Sequence, residues 1–278
     1  MKPIVKKIRK ENNDFQRIEV LKRNREKRNR YKQFFVEGVK PINFAIENNW
    51  EIESFAYSRE VPLSNWAKGV LSNSTAKTHF ELPLRLMEKL SDKEEDLSEL
   101  IAIVSIPDDD ISRIRVGDDT LIVVVDRPSS YGNLGTIIRS CDALNVDGIV
   151  VTGHAVDIYD TRTIRASMGT LFTVPVVRLQ SHRQLLHWFN DIRQNHKDFK
   201  IVGSSASGDA LIMDVDLTTR PMALVIGNET HGLSYNYKQL CDILVRIPMH
   251  GYITSLNVAC ATSIMLYELE RQRMATRD

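Results

Sequence analysis

The run TLIVVVD at residues 120–126 is continuous, apolar and rich in β-branched side chains, and polar turns bound it on both sides. Such a run is typical of a strand covered on both faces, as strands of parallel sheets are. Comparable runs follow at residues 148–152, 173–177, 199–202, 223–226 and 243–247. Helical spacing lies between them, at residues 134–144, 181–194 and 255–271. This alternation predicts an α/β domain with a parallel sheet and helices on both faces.

Upstream of this run, the composition divides the chain further. Residues 107–119 contain PDDD, a glycine and a second acidic pair among few apolar residues, which is typical of a linker. Residues 31–106 mix helix-like spacing with short apolar runs, which predicts a small α/β domain. We therefore expect a basic segment at 1–30, a small domain at 31–106, a linker at 107–119 and the larger domain at 120–278.

The net charge of +1 hides an asymmetry, because residues 1–32 carry thirteen Lys/Arg against four Asp/Glu. Cations in a run can bind a phosphate backbone without reading its sequence. A solvated helix or a disordered tail explains the same run equally well. The candidates for RNA contact in it are Lys22, Arg23, Arg25, Lys27, Arg28 and Arg30.

Several classes of protein are disfavoured by what the sequence lacks. No stretch approaches the roughly 20 apolar residues of a membrane helix, and residues 1–10 are basic without the apolar core of a signal peptide, so we expect a cytoplasmic protein without a membrane partner. Cys141, Cys241 and Cys260 are far apart in apolar stretches, which predicts reduced, mostly buried thiols. The histidines show no zinc-like spacing, so no metal is expected.

A nucleotide-binding α/β domain ordinarily has the glycine pattern GxGxxG after its first strand. Here the turn contains Gly132 and Gly135 alone, which disfavours a dehydrogenase. Polar residues stand instead where strands are predicted to end, and open α/β sheets place their sites there. The first group is Asn133 with Arg139, at the entry to a helix.

Two further polar segments follow later predicted strands. One is IGNETHGLS at residues 226–234, in which glycines flank Glu229. The other is IPMHGYITSLNVA at residues 247–259, where Ser255 and Asn257 open the last predicted helix.

These segments together resemble the signature motifs of the SpoU (TrmH-like) branch of the SPOUT methyltransferases, in their usual order and spacing. The first motif is NLGTIIR at residues 133–139, and the two segments above are the second and third. RASMGTLFTVPV at residues 165–176 resembles the central segment of the family. KQFFVEGVK at residues 32–40 is similar to the start of its L30e-like RNA-binding domain.

The resemblance implies a catalytic domain with a deep trefoil knot, through which residues 226–259 are threaded. It also implies S-adenosylmethionine as cofactor, held in a bent shape by the knot, and a homodimer whose subunits complete each other's sites. The residues implied to hold the cofactor are Ile226, Gly227, Asn228, Ile247, Met249 and Leu256.

For catalysis, the resemblance places Arg139 beside a ribose 2'-hydroxyl. A guanidinium stays protonated at neutral pH and is therefore a poor base, so we favour a role in stabilising negative charge. Asn133 and Glu229 would orient this group or the substrate; a solvated loop carboxylate is the alternative for Glu229. Ser255 also suits an N-cap. Asn257, in a stretch predicted to be an apolar helix, should face a polar partner because a buried amide without one is costly.

Arg162 and Arg165 are further candidates for RNA contact, although a solvated helix face explains them at least as well. The leading interpretation is a methyltransferase acting on the ribose 2'-hydroxyl of a structured RNA. Relatives with this domain order favour ribosomal RNA over transfer RNA. A catalytically silent RNA-binding or assembly factor is the main alternative, and a small-molecule methyltransferase is disfavoured by the cationic N-terminal end.

Overall fold

The computed structural model describes residues 3–91 and 97–275, which separate into two compact units. The first unit contains the chain up to Asp108 together with Asp157–Thr173. The second contains Asp109–Val156 and the chain from Val174 onward. Residues 157–173, within the larger domain predicted from sequence, therefore pack with the first unit.

The strands are β1 (Ile4–Lys7), β2 (Gln33–Glu37), β3 (Ile52–Tyr57), β4 (Thr78–Glu81), β5 (Leu100–Ser105), β6 (Leu121–Asp126), β7 (Gly148–Thr152), β8 (Val176–Leu179), β9 (Lys200–Ser204), β10 (Ala210–Leu211), β11 (Met222–Ile226) and β12 (Ile243–Arg246). The α-helices are α1 (Asn13–Arg23), α2 (Arg25–Tyr31), α3 (Val39–Glu47), α4 (Asn65–Asn73), α5 (Leu84–Leu90), α6 (Tyr131–Ala143), α7 (Thr161–Ala166), α8 (His182–Asn195), α9 (Tyr235–Leu240) and α10 (Val258–Ala275).

The first unit has a five-stranded mixed sheet in the order β1-β4-β3-β5-β2. The basic N-terminal segment is folded into this unit, since β1 pairs in parallel with β4. In α1, apolar residues three apart bury one face, and Phe15, Ile18 and Leu21 pack in a core that also contains Phe35. The opposite side of this basic helix remains available to solvent.

Two members of the basic run are buried, and this corrects the prediction that they contact RNA. Arg28 is only 1% exposed, and its guanidinium forms ion pairs with Asp157 at 2.7 Å and Asp160 at 3.1 Å. Lys22 is 6% exposed, with its ammonium 5.9 Å from the ring centre of Phe35. A buried guanidinium must be paired because its desolvation is costly, so these carboxylates occupy it. Arg28 and Lys22 are thus committed to the interior.

The second unit is built on a seven-stranded, fully parallel sheet in the order β10-β12-β9-β11-β6-β7-β8. Strands β6, β7 and β11 are wholly buried, as their continuous apolar runs predict. The strand expected at 173–177 lies instead at Val176–Leu179, because Thr170–Phe172 form a 3₁₀ turn first. The α/β architecture with a parallel sheet is confirmed, and the knot stays a prediction.

The carboxyl ends of parallel strands meet at one edge of a sheet. The segments that follow β6, β9, β11 and β12 therefore converge there in the second unit. No helix in the described residues is both long and apolar enough to span a bilayer. Within the same described residues, no group of three or more His, Cys, Asp or Glu is arranged to hold a metal ion.

Candidate functional site

A cavity of about 510 Å³ lies at this edge of the second unit. Its walls come from the ends of β9 and β11, from the segment after β12 and from the first turns of α10. The six residues that the resemblance assigns to the cofactor all line it: Ile226, Gly227, Asn228, Ile247, Met249 and Leu256. Glu229 and Ser255, assigned to catalysis, line it as well.

The wall after β11 depends on a close approach between two backbone segments. Asn228 and Gly232 exchange backbone hydrogen bonds of 3.0 and 2.9 Å, and Gly232 has a positive φ of 63°. A Cβ at Gly227 would lie 2.3 Å from the carbonyl carbon of Gly232, far inside van der Waals contact. Gly227 therefore lets this loop fold back tightly and expose backbone groups to the cavity.

Glu229 is fixed by the loop that follows β6. Its carboxylate accepts hydrogen bonds from the Ser129 N–H at 3.0 Å, the Ser129 hydroxyl at 2.8 Å and the Ser130 N–H at 3.1 Å. Asn133 adds a side-chain N–H at 3.3 Å. Partial burial by itself raises the pKa of Glu229, but the hydrogen bonds outweigh it and the pKa is lowered. Glu229 is therefore an ionised, oriented group and not a solvated loop carboxylate.

Asn133 also connects the first motif to the third. Its side-chain oxygen accepts a 3.0 Å hydrogen bond from the side-chain N–H of Asn257. Asn257 is the residue before α10 and caps it, accepting from the Ala259 N–H at 2.9 Å. The predicted N-cap role of Ser255 is wrong, because the helix begins three residues later. Asn257 is exposed and lies at a helix start, but it does face a polar partner, as expected.

Asp126, which ends β6, and Arg127, which follows it and holds Asn228, were not among the residues predicted from sequence. Arg127 has a positive φ of 50°, rare for a residue with a side chain, and its guanidinium pairs with buried Asp126 at 3.0 and 2.9 Å. This hydrogen bond raises the pKa of Arg127. The Asn228 side chain donates to the Arg127 carbonyl at 2.7 Å. Asp126, a carboxylate closing an apolar strand, was the available signal.

Arg139 stands apart from this network. Arg139 is exposed on α6, and it is not among the described residues that line the cavity. Asn133 lies on the first turn of the same helix. Six residues correspond to about 240° around a helix, so the two side chains point in different directions. The structure thus brings together Asn133, Glu229 and Asn257, with Ser255 at the cavity wall, and leaves Arg139 on the surface.

The remaining candidates for RNA contact lie in the first unit. Arg162 is largely exposed and is paired with Asp160 at 2.8 Å, and Arg165 is exposed. Arg23, Arg25 and Arg30 are exposed as well, and Lys27 is half-buried. Their contact with RNA stays a prediction.

Comparison with known proteins gives matches over nearly the whole chain. Residues 120–267 match the SpoU rRNA Methylase family, and residues 12–102 match the SpoU L30e-like domain. The 23S rRNA (uridine(2479)-2'-O)-methyltransferase of Streptomyces viridochromogenes is 42% identical over 99% of this chain and 95% of that protein.

Solved structures agree with these sequence matches. The SpoU methyltransferase AviRb from Streptomyces viridochromogenes, in complex with the cofactor AdoMet, superposes with a TM-score of 0.90 at 42% identity, covering 95% of this chain and 99% of that one. An AdoMet-bound rRNA methyltransferase from Sinorhizobium meliloti superposes with a TM-score of 0.85 at 26% identity, covering 96% and 98%. With both of its sequence regions matched and this network of motif residues in place, the chain belongs to the SpoU rRNA methylase family.

Proposed function

We propose that this chain transfers a methyl group from S-adenosylmethionine to a ribose 2'-hydroxyl of ribosomal RNA. The observation that carries the proposal is the hydrogen-bonded series Asn257, Asn133 and Glu229 beside the 510 Å³ cavity. The 42% identical relative is named as a 23S rRNA 2'-O-methyltransferase, which supports ribosomal RNA as the substrate. Such an enzyme acts where ribosomes are assembled, so we propose a cytoplasmic location.

The cavity fits S-adenosylmethionine in its chemistry. Ile226, Ile247 and Met265 offer apolar surface to an adenine ring, while Ser204 and Thr254 offer hydroxyls to the polar parts. The fold-back at Gly227 leaves the backbone uncovered by a side chain where the loop meets the cavity. When bound, the sulfonium supplies an activated methyl group for in-line transfer.

The chain's own residues would then orient the nucleophile. Glu229, ionised and held by donors of Ser129 and Ser130, fixes the Asn133 amide. Asn133 in turn holds Asn257 at the start of α10. Orientation of reacting groups lowers the barrier without any change in their chemistry. Arg139 would stabilise the negative charge that develops on the ribose oxygen.

Because Arg139 lies outside the cavity of its own chain, we propose that it serves the site of a second copy in a homodimer. An exposed face of α10 supports this arrangement. Cys260, Ile264 and Tyr267 are exposed at helical spacing on that face, with Tyr267 62% exposed. Helix α6 packs beside α10, where the Ser140 and Ser263 hydroxyls are 2.8 Å apart. An unpaired apolar face next to the helix that carries Arg139 is suited to a second copy of the same chain.

The test is transfer of labelled methyl from S-adenosylmethionine to an unmodified 23S rRNA transcript, with transfer RNA as the comparison substrate. Arg139→Lys keeps the charge but loses the planar fork, and we expect a rate loss of about 10²–10³ with unchanged cofactor affinity. Arg183→Lys, an exposed arginine on α8, is the matched control.

Full activity of Arg139→Lys at neutral pH would contradict the role of Arg139. Methylation of transfer RNA alone would redirect the substrate assignment. Absence of S-adenosylmethionine binding in a calorimetric titration would instead favour a catalytically silent RNA-binding factor.

A further inference from the structure

A second cavity, of about 390 Å³, lies entirely within the first unit. Strand β2, the start of α3 and the segment around α7 form its walls. Half of its lining is apolar, contributed by Phe35, Pro41, Ile164 and Met168. None of these residues belongs to the cavity of the second unit, so the methyl-transfer site does not account for it.

The turn at Met168 and Gly169, which belongs to the wall formed by the segment around α7, has a fixed conformation. Met168 has a positive φ of 55°, and its N–H donates to the Arg165 carbonyl at 3.0 Å. Gly169 follows with a φ of 90°, and a Cβ there would lie 2.9 Å from the Cα of Pro41. This tight contact between the turn and α3 fixes the position of Met168, which remains 42% exposed at the rim.

Cations surround the apolar slot. Lys40 and Arg165 line it, and both are exposed. Among the described residues that line it, Glu37 carries the carboxylate, and Glu37 accepts a hydrogen bond from the Ser91 hydroxyl. Positive charge therefore exceeds negative charge around an opening whose interior is apolar.

We propose that this cavity binds one unstacked nucleotide of the RNA substrate, with its base in the slot and its flanking phosphates on Lys40 and Arg165. The inference rests on the proposed function and adds a substrate contact to it. A base offers a flat apolar face on an anionic chain, which matches apolar walls rimmed by cations. A base within a duplex cannot enter without unpairing, so the site selects single-stranded RNA.

The probe is a short single-stranded RNA with 2-aminopurine at its centre, and it is titrated with the full chain. The comparison substrate is the same strand annealed to its complement. Insertion of the base changes the 2-aminopurine fluorescence. Because each lost phosphate contact lowers the salt slope of single-strand binding by about 0.7, the double variant Lys40→Gln/Arg165→Gln should lower that slope by roughly 1.4. We also expect it to weaken binding by about tenfold or more.

Two further variants separate the base from the phosphates. Met168→Glu should abolish the fluorescence change, since it places a carboxylate at the slot. Lys77→Gln is the matched control, because Lys77 is exposed and precedes β4, which β3 and β5 separate from β2. Calorimetry with S-adenosylmethionine should give unchanged affinity in every variant, which shows that the second unit is intact.

The proposal would be overturned if the slot variants bound the single strand as the unaltered chain does. It would also be overturned if the unaltered chain bound the duplex as tightly as the single strand. Methylation of the 23S rRNA transcript by the unaltered chain is measured separately. Its absence alongside intact 2-aminopurine binding would count against the proposed function and not against the slot.

Discussion

The side chain of Asn257 donates a 3.0 Å hydrogen bond to the side-chain oxygen of Asn133, joining residues 124 positions apart. Asn133 has its other side-chain atom, the amide nitrogen, 3.3 Å from the carboxylate of Glu229. An ionised carboxylate can only accept hydrogen bonds, so Asn133 must turn its N–H toward Glu229 and its oxygen toward Asn257. Glu229 therefore sets the orientation of both amides.

The lowered pKa of Glu229 has a consequence for stability. A carboxylate whose pKa is lowered by folding stabilises the folded state above its ordinary value of 4.5, and this contribution is lost as pH falls through the folded value. The difference in free energy of unfolding between the unaltered chain and Glu229→Gln should therefore shrink as pH falls below 4.5. Chemical denaturation across pH measures it, with exposed Glu88→Gln as control. A difference that stays constant with pH would contradict the prediction.

Gly227→Ala should weaken S-adenosylmethionine binding by about tenfold or more, because the added Cβ at 2.3 Å from Gly232 forces the loop apart at a cost on the order of 1–3 kcal/mol. Gly117→Ala is the control, since nothing lies within 4 Å of a Cβ there. Isothermal titration with the cofactor gives both affinities. Equal affinities would show that the fold-back at Gly227 does not shape the cavity.

Arg28→Met should destabilise the chain by about 3–5 kcal/mol, since it leaves Asp157 buried without its guanidinium and leaves Asp160 paired with Arg162 alone. The combined change Arg28→Met/Asp157→Asn should recover part of the loss. Arg30→Met, an exposed arginine on the same helix, should be nearly neutral. Urea unfolding compares the three, and an Arg28→Met variant as stable as Arg30→Met would refute the buried ion pair as a stabilising element.

Ile264→Glu should convert the proposed dimer to monomers, because it places a charge in the exposed apolar face of α10. Leu186→Glu, a comparably exposed leucine on α8, should leave the association unchanged. Sedimentation velocity reports the mass of each variant. Methyl transfer should fall together with dimerisation if Arg139 serves the neighbouring copy, and a fully active monomer would exclude that arrangement.

The larger fold could be predicted from the sequence because its strands are buried on both faces. Continuous apolar runs therefore marked β6, β7 and β11 directly. Short elements such as β10 carry too few residues for a periodic signal, and the strand at Val176–Leu179 was displaced by a 3₁₀ turn. The three thiols were expected to be mostly buried, whereas Cys141 is buried, Cys241 is half-buried and Cys260 is exposed on α10.

The residues of the candidate site could be predicted from the motifs. The contacts that hold those residues in place could not. The six residues predicted to hold the cofactor do converge on one cavity. The pairing of Arg127 with Asp126 depends on a backbone conformation at positive φ that composition does not show. Arg28 was grouped with its basic neighbours because its carboxylate partners lie 129 and 132 residues further along the chain.

The assignment of Asp157–Thr173 to the first unit determines when that unit can be finished during synthesis. When the ribosome has released residue 108, Arg28 still lacks both carboxylates, and Phe34 lacks Tyr159, whose ring centre lies 4.8 Å away in the folded chain. At roughly 5–20 residues per second, several seconds pass before those partners emerge. Throughout that interval the guanidinium of Arg28 has neither of these carboxylates beside it, and Phe34 lacks the ring of Tyr159. A chaperone can cover these side chains during that time, and a protease can attack the chain near them.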